Sequence, residues 1–155
     1  MRRRLFGTAV LAAVCAAAAG ALMVALTTED LVSHSSLVVV GTVDGVTSYP
    51  PDGSGMIYSE ATVRVSAAVV GATSEEVVTV RYMGGEYDGL VFGVTVEPTF
   101  RVGEEVVLFL LPTGDGVYRC PDGVQSKLSV VDGTVLPAGE TLTAYLAKVT
   151  VAAGQ

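Results

Sequence analysis

The chain has 155 residues, half of them hydrophobic and 16% charged, which excludes a disordered polar tail and leaves room for one hydrophobic core. Its net charge is -7; beyond the cluster Arg2-Arg3-Arg4, six basic residues face all 16 acidic ones, so the remainder carries -10. Such a surface repels phosphate backbones and disfavours nucleic acid as a partner.

Taken in chain order, Met1-Arg-Arg-Arg and the uncharged run Leu5 to Leu26 form the basic and apolar regions of an export segment. Residues 1–25 are expected to be an export signal or a signal anchor. The small residues Ala17-Ala18-Ala19 and Ala19-Gly20-Ala21 offer cleavage sites, while the run is also long enough to span a bilayer. In either case the arginines stay inside and the rest, residues 26–150 as one domain with a tail at 151–155, is directed to the secreted or cell-surface side. Cys15 lies within the leader, so Cys120 has no internal disulfide partner in the domain and reads as a small packing residue near a turn.

Thr27 to Ser36 opens with a capping threonine and early acids, the signature of a short helix. It carries His34, the only histidine, and a metal centre would need more ligands than that. Leu37 to Thr47 is a strand in which Gly41 and Gly45 predict a bulge or sharp coil. After the turn-rich Pro50 to Gly55, the stretch Ile57 to Val69 alternates, placing Ile57, Ser59, Ala61, Val63, Val65, Ala67 and Val69 on one face. Val77 to Tyr82 repeats the pattern with Val78, Val80 and Tyr82 inward.

Met83 to Gly89 reads as a flexible loop, and Gly84, Gly85, Glu86, Tyr87 and Asp88 are the candidate partner-binding residues. The loop lacks the lysine and following helix of a P-loop, and its two carboxylates would oppose an anion. Leu90 to Val96 is expected as a strand ended by Pro98. Val106 to Leu111, an unbroken apolar run between the Gly103-Glu104-Glu105 turn and Pro112, is expected to be buried on both faces. Short strands follow at Val117 to Arg119, Lys127 to Val131 and Thr134 to Leu136, the last two joined by Asp132-Gly133, the clearest tight-hairpin signal in the chain. The aspartates of these turns lack the alternating spacing of a calcium loop. Finally Leu142, Tyr145, Leu146 and Val149 fall at helical spacing behind Thr141, predicting an amphipathic helix laid over one opening of a barrel.

The fold expected is therefore mainly β: a small closed or partly open barrel with a short N-terminal helix and a C-terminal amphipathic helix. This order, together with Leu31-Val32 and Ser35-Ser36-Leu37-Val38-Val39-Val40-Gly41-Thr42-Val43, Thr62-Val63-Arg64-Val65, Gly84-Gly85, Pro98 to Leu110 and Gln125 to Val130, resembles the netrin-like, OB-type barrel of the tissue inhibitors of metalloproteinases. It is also similar to bacterial exported β-domains found ahead of matrixin-type metalloproteases. No H-E-x-x-H motif follows, so no protease accompanies the domain within this sequence. The animal inhibitors reach zinc through a disulfide-anchored N-terminal cysteine, and here no cysteine stands between the leader and Cys120.

Enzymatic readings find little support. The lone His34 has Ser33 and Ser35 as sequence neighbours, which helical geometry turns away from it. Glu75-Glu76 and Glu104-Glu105 are adjacent carboxylates in turns rather than a facing pair. No catalytic, cofactor-binding or metal-binding residue is assigned. The expected function is that of a non-catalytic extracytoplasmic binding or assembly module with a protein partner, touching membrane only through a retained leader. A metalloprotease inhibitor or regulatory domain and a self-assembling surface protein are the alternatives.

Overall fold

In the computed structural model, residues 23–154 are described; most of the expected leader, including Arg2, Arg3, Arg4, Cys15 and both small-residue cleavage sites, lies outside them. Among the described residues, no helix is long and apolar enough to cross a membrane. Helix α1 (Thr28–Ser33) begins on a capping box: Thr27 Oγ1 accepts from the Asp30 backbone N–H, and the Asp30 carboxylate accepts from the Thr27 N–H. The Thr27 N–H and the Thr27 hydroxyl, both donating to the ionised carboxylate, hold Asp30 below its ordinary value.

The strands are β1 (Leu37–Ser48), β2 (Tyr58–Val70), β3 (Val77–Met83), β4 (Gly85–Tyr87), β5 (Leu90–Phe92), β6 (Glu105–Pro112), β7 (Tyr118–Arg119), β8 (Lys127–Val131), β9 (Thr134–Leu136) and β10 (Glu140–Thr141), followed by helix α2 (Leu142–Ala152). The main sheet runs β1-β2-β3-β7-β6-β8-β9-β10, and an additional β1–β6 pairing closes its first five strands into a barrel. All contacts around the barrel are antiparallel except β3–β7, so the barrel is mixed. Because β7 is only two residues long, it pairs with β3 at Val80 alone. β8, β9 and β10 extend outward from β6 as a meander.

The central apolar run explains the layering. Successive residues of a strand point to opposite faces. In β6, Val106, Leu108 and Leu110 enter the barrel interior with Val39, Val63, Val78 and Val80, whereas Val107 and Phe109 point outward. The outward pair is covered by Leu31 and Val32 of α1, Tyr145 and Val149 of α2, and Leu128, Val130 and Val135 of the meander. There are thus two cores, one inside the barrel and one between its outer wall and the helices. This corrects the expectation for α2, which packs on the outer wall instead of over an opening. The physical reason is that a strand apolar on both faces needs a second cover. Thr141 caps α2 through the Ala144 N–H, and the helix runs to Ala152, into the stretch expected as a tail.

β1 reaches both β2 and β6 because it is long and coiled. Its register with β2 shifts at Val38/Val39, Val40/Gly41 and Val43/Gly45, so two of the three irregularities fall at the predicted glycines. The same bulges break the single face expected of β2. Up to Val63 the alternation holds, but Ala67 is exposed and Val69 joins the outer core. The β8–β9 turn follows the sequence signal, with Asp132 at φ 50° and Gly133 at φ 75°.

Two expected elements differ. Leu90 to Val96 forms a strand only to Phe92, since the Glu97 N–H turns back to the Val94 carbonyl and the Val96 carbonyl accepts from the Val124 N–H. This ties Val96 to the 3-10 turn Gly123–Ser126, while the Glu97 carboxylate accepts from the Met83 N–H of β3. The segment Met83 to Gly89, expected as a flexible loop, instead holds the last residue of β3 and the first strand of a β4–β5 hairpin with Asp88 and Gly89 at its turn.

Cys120 is buried against the barrel core, and burial, with the Glu97 carboxylate adding to it, pushes its thiol up to about 12. A thiol so far above neutral supplies almost no thiolate, the reactive species. Maleimide treatment of the folded protein is expected to leave Cys120 unmodified, and urea unfolding to make it reactive, as read by peptide mass mapping. Modification at equal rates in both states would contradict its placement.

Candidate functional site

The sequence-predicted residues come together at one structure. Gly84 and Gly85 form the base of the β4–β5 hairpin and hold φ of 119° and 132°, a region that side chains rarely tolerate. The base is moored by the buried Ser59 and the half-buried Ser48: Ser59 Oγ donates to the Gly84 carbonyl at 2.6 Å, and Ser48 and Ser59 Oγ share a hydrogen bond of 2.7 Å. A side chain at Gly85 would overlap both serine hydroxyls, so glycine is required there for space as well as for conformation. The Gly84 N–H donates to the Ile57 carbonyl, tying the hairpin to the start of β2.

Beyond the base, the hairpin leaves the body of the protein. Gly85 pairs with Phe92, Glu86 with Val91 and Tyr87 with Leu90. Tyr87 is exposed, and Leu90 and Val91 are 58% and 78% exposed. Among the described residues neither Glu86 nor Asp88 forms an ion pair. The hairpin is thus an apolar, acid-flanked projection on a fixed base. Single exposed apolar residues are ordinary, whereas a two-stranded projection carrying several is the form in which surfaces meet partners.

A second polar surface was not singled out from the sequence. Glu60 of β2 stands directly opposite Arg81 of β3 and accepts from its Nε and Nη2 at 3.0 and 2.8 Å. Tyr49 Oη donates to the other Glu60 oxygen at 2.8 Å, and Arg81 Nη1 donates to Asp115 at 3.0 Å. The hydrogen bond to Glu60 raises the Tyr49 hydroxyl above its usual value, and bonds from Thr113 and Arg81 lower Asp115. The available signal was cross-strand: alternation puts Glu60 and Arg81 on outward faces, and opposite charges facing each other stabilise an antiparallel pair.

The remaining polar side chains tie the fold together. His34 Nδ1 lies 2.9 Å from Asp122, joining the end of α1 to the turn before the 3-10 segment. Lys127 Nζ reaches Glu104 at 2.7 Å and lies 5.1 Å from the Phe100 ring centroid, a cation–π contact at the barrel mouth. Gln125 holds the start of the described chain with both amide atoms, accepting from the Leu26 N–H and donating to the Val24 carbonyl. Beside it lies an apolar cleft of about 470 Å³ between Leu26, Leu31, Leu128, Pro137 and Tyr145. Among the described residues, no cluster of three or more histidine, cysteine or carboxylate side chains could hold a metal ion. Neither a protein-family model nor a curated protein matches the chain.

Proposed function

We propose that the chain is a non-catalytic, extracytoplasmic binding or assembly module whose protein partner docks on the β4–β5 hairpin. The observation that carries this reading is the combination of an exposed Leu90, Val91 and Tyr87 with a base fixed by Ser48, Ser59 and two glycines. A projection already held in one conformation loses little entropy when bound, and a short open-edged strand pair suits addition of a partner strand. Its placement outside the cell rests on the basic and apolar leader read from the sequence. The five-stranded barrel and the two helices bear out the mainly β fold, while the netrin-like, OB-type identity rests on the sequence resemblance alone. The function of a metalloprotease inhibitor or regulator follows from that resemblance alone and takes second place.

The test is a photo-crosslinking residue at position 91 in the native host, with the same residue at exposed Val131 of β8 as control. A discrete adduct from position 91 that position 131 does not give is the expected result. A metalloprotease in that adduct would favour the regulatory reading, and an adduct of the chain with itself would favour self-assembly. The absence of any adduct at position 91, or the same set from both positions, would overturn the hairpin as the docking surface.

A further inference from the structure

The Tyr49–Glu60–Arg81–Asp115 network borders a shallow trough on the outer face of β2 and β3, separate from the hairpin surface proposed above. The trough, of about 450 Å³, is lined by Tyr49, Tyr58, Glu60 and Arg81. Past Tyr58 and Arg81 it continues into a smaller depression bounded by Met83, Glu97 and Arg119. Tyr49 is 43% exposed, although its hydroxyl is bonded to Glu60. Among the described residues, the Tyr58 hydroxyl has only the distant Met56 sulfur, at 4.0 Å, as a partner.

Three features of this surface bear on what it can hold. Two aromatic side chains lie along one open groove, presenting apolar area with polar edges. Beside them, the planar carboxylate of Glu60 and guanidinium of Arg81 are held by their mutual bonds, yet Arg81 commits only part of its five-donor fork. The charges along the trough nearly cancel, with Arg81 and Arg119 against Glu60, Glu97 and Asp115, so neither a polyanion nor a polycation gains much there.

We infer that the trough binds a neutral saccharide chain. The C–H face of a pyranose ring is apolar and flat enough to cover a tyrosine ring. Its hydroxyls can accept from the two Nη N–H groups that Arg81 leaves uncommitted among the described residues and donate to the remaining lone pair of Glu60 Oε2. The network fixes these groups in advance, which lowers the ordering cost of binding. A shallow, solvent-open trough that continues past Tyr58 and Arg81 suits a chain of rings over a single enclosed small molecule. Hexose and N-acetylhexosamine chains share this chemistry, and the experiment separates them.

The test is calorimetric titration of the full-length protein in detergent with cellohexaose and, separately, chitohexaose, alongside the Tyr49→Ala and Tyr58→Ala variants. Saturable binding of at least one hexasaccharide is expected, with each variant weakening it by about tenfold or more. Hydrogen exchange should show protection of the peptides carrying Tyr49, Tyr58 and Arg81 on saturation. Circular dichroism identical to wild type confirms that the variants fold. Should neither sugar bind, should both variants bind as tightly as wild type, or should protection fall elsewhere, the assignment is wrong. None of these results bears on the hairpin, which the crosslinking experiment tests by itself.

Discussion

Replacing Phe109 with alanine should destabilise the protein by about 3–5 kcal/mol. Phe109 is fully buried on the outward face of β6, where it fills the layer between the barrel wall and the two helices. Truncation removes the apolar area that the ring buries and leaves a cavity whose walls belong to separate elements. β6 is paired to both β1 and β8 and cannot move outward to fill it. A lower urea midpoint at unchanged slope would report the loss as one of stability. Val131→Ala, on an exposed position of β8, should stay within about 0.5 kcal/mol of wild type. A Phe109→Ala cost no larger than that of Val131→Ala would mean that the outer core does not exist as described.

The second large effect is expected at Gly41. Its φ lies outside the left-handed region, so the constraint is space: a Cβ would stand 2.5 Å from the Arg64 carbonyl oxygen and 2.7 Å from Val63 Cγ1. The first of these is backbone in the neighbouring strand and cannot rotate away. The site coincides with the register shift at Val40/Gly41, where β1 coils so that one edge follows β2 and the other β6. Gly41→Val must therefore either part β1 from β2 or flatten the coil, and should cost about 1–3 kcal/mol or more. Gly53→Ala, where a Cβ meets nothing within 4 Å, should be neutral or slightly stabilising. Equal urea midpoints for the two variants would contradict the close approach at Gly41.

Much of this fold was legible because the signals were local. The apolar run of β6 between a glycine turn and Pro112 indicated burial on both faces, and threonines at 27 and 141 marked both helix starts. Asp132-Gly133 located a tight hairpin. What stayed hidden depended on pairings far apart in the chain. The second partner of β1 is β6, and no periodicity within either strand reveals that closure. α2 was matched to a barrel opening because its stripe names an apolar surface without saying which one. β4 read as a loop because a strand of three residues beside glycines is too short to show alternation. The candidate residues Gly84 to Asp88 were identified, but Leu90 and Val91, which carry the exposed apolar area, were assigned to a longer strand. Glu60 and Arg81 became partners only once the β2–β3 register was known.

The β1–β6 seam closes the barrel, separates its interior from the helix-covered layer and positions the wall from which the hairpin projects. Native-state hydrogen exchange resolved along the backbone tests it most directly, because core pairings open only at a free energy close to that of global unfolding. The amides of Leu37 to Thr42 and of Glu105 to Leu110 should exchange together, in the slowest class, while those of Glu86 to Val91 exchange earlier. Rapid exchange of the Leu37 to Thr42 amides beside a protected β2 would mean an open sheet, and the closed barrel would be refuted.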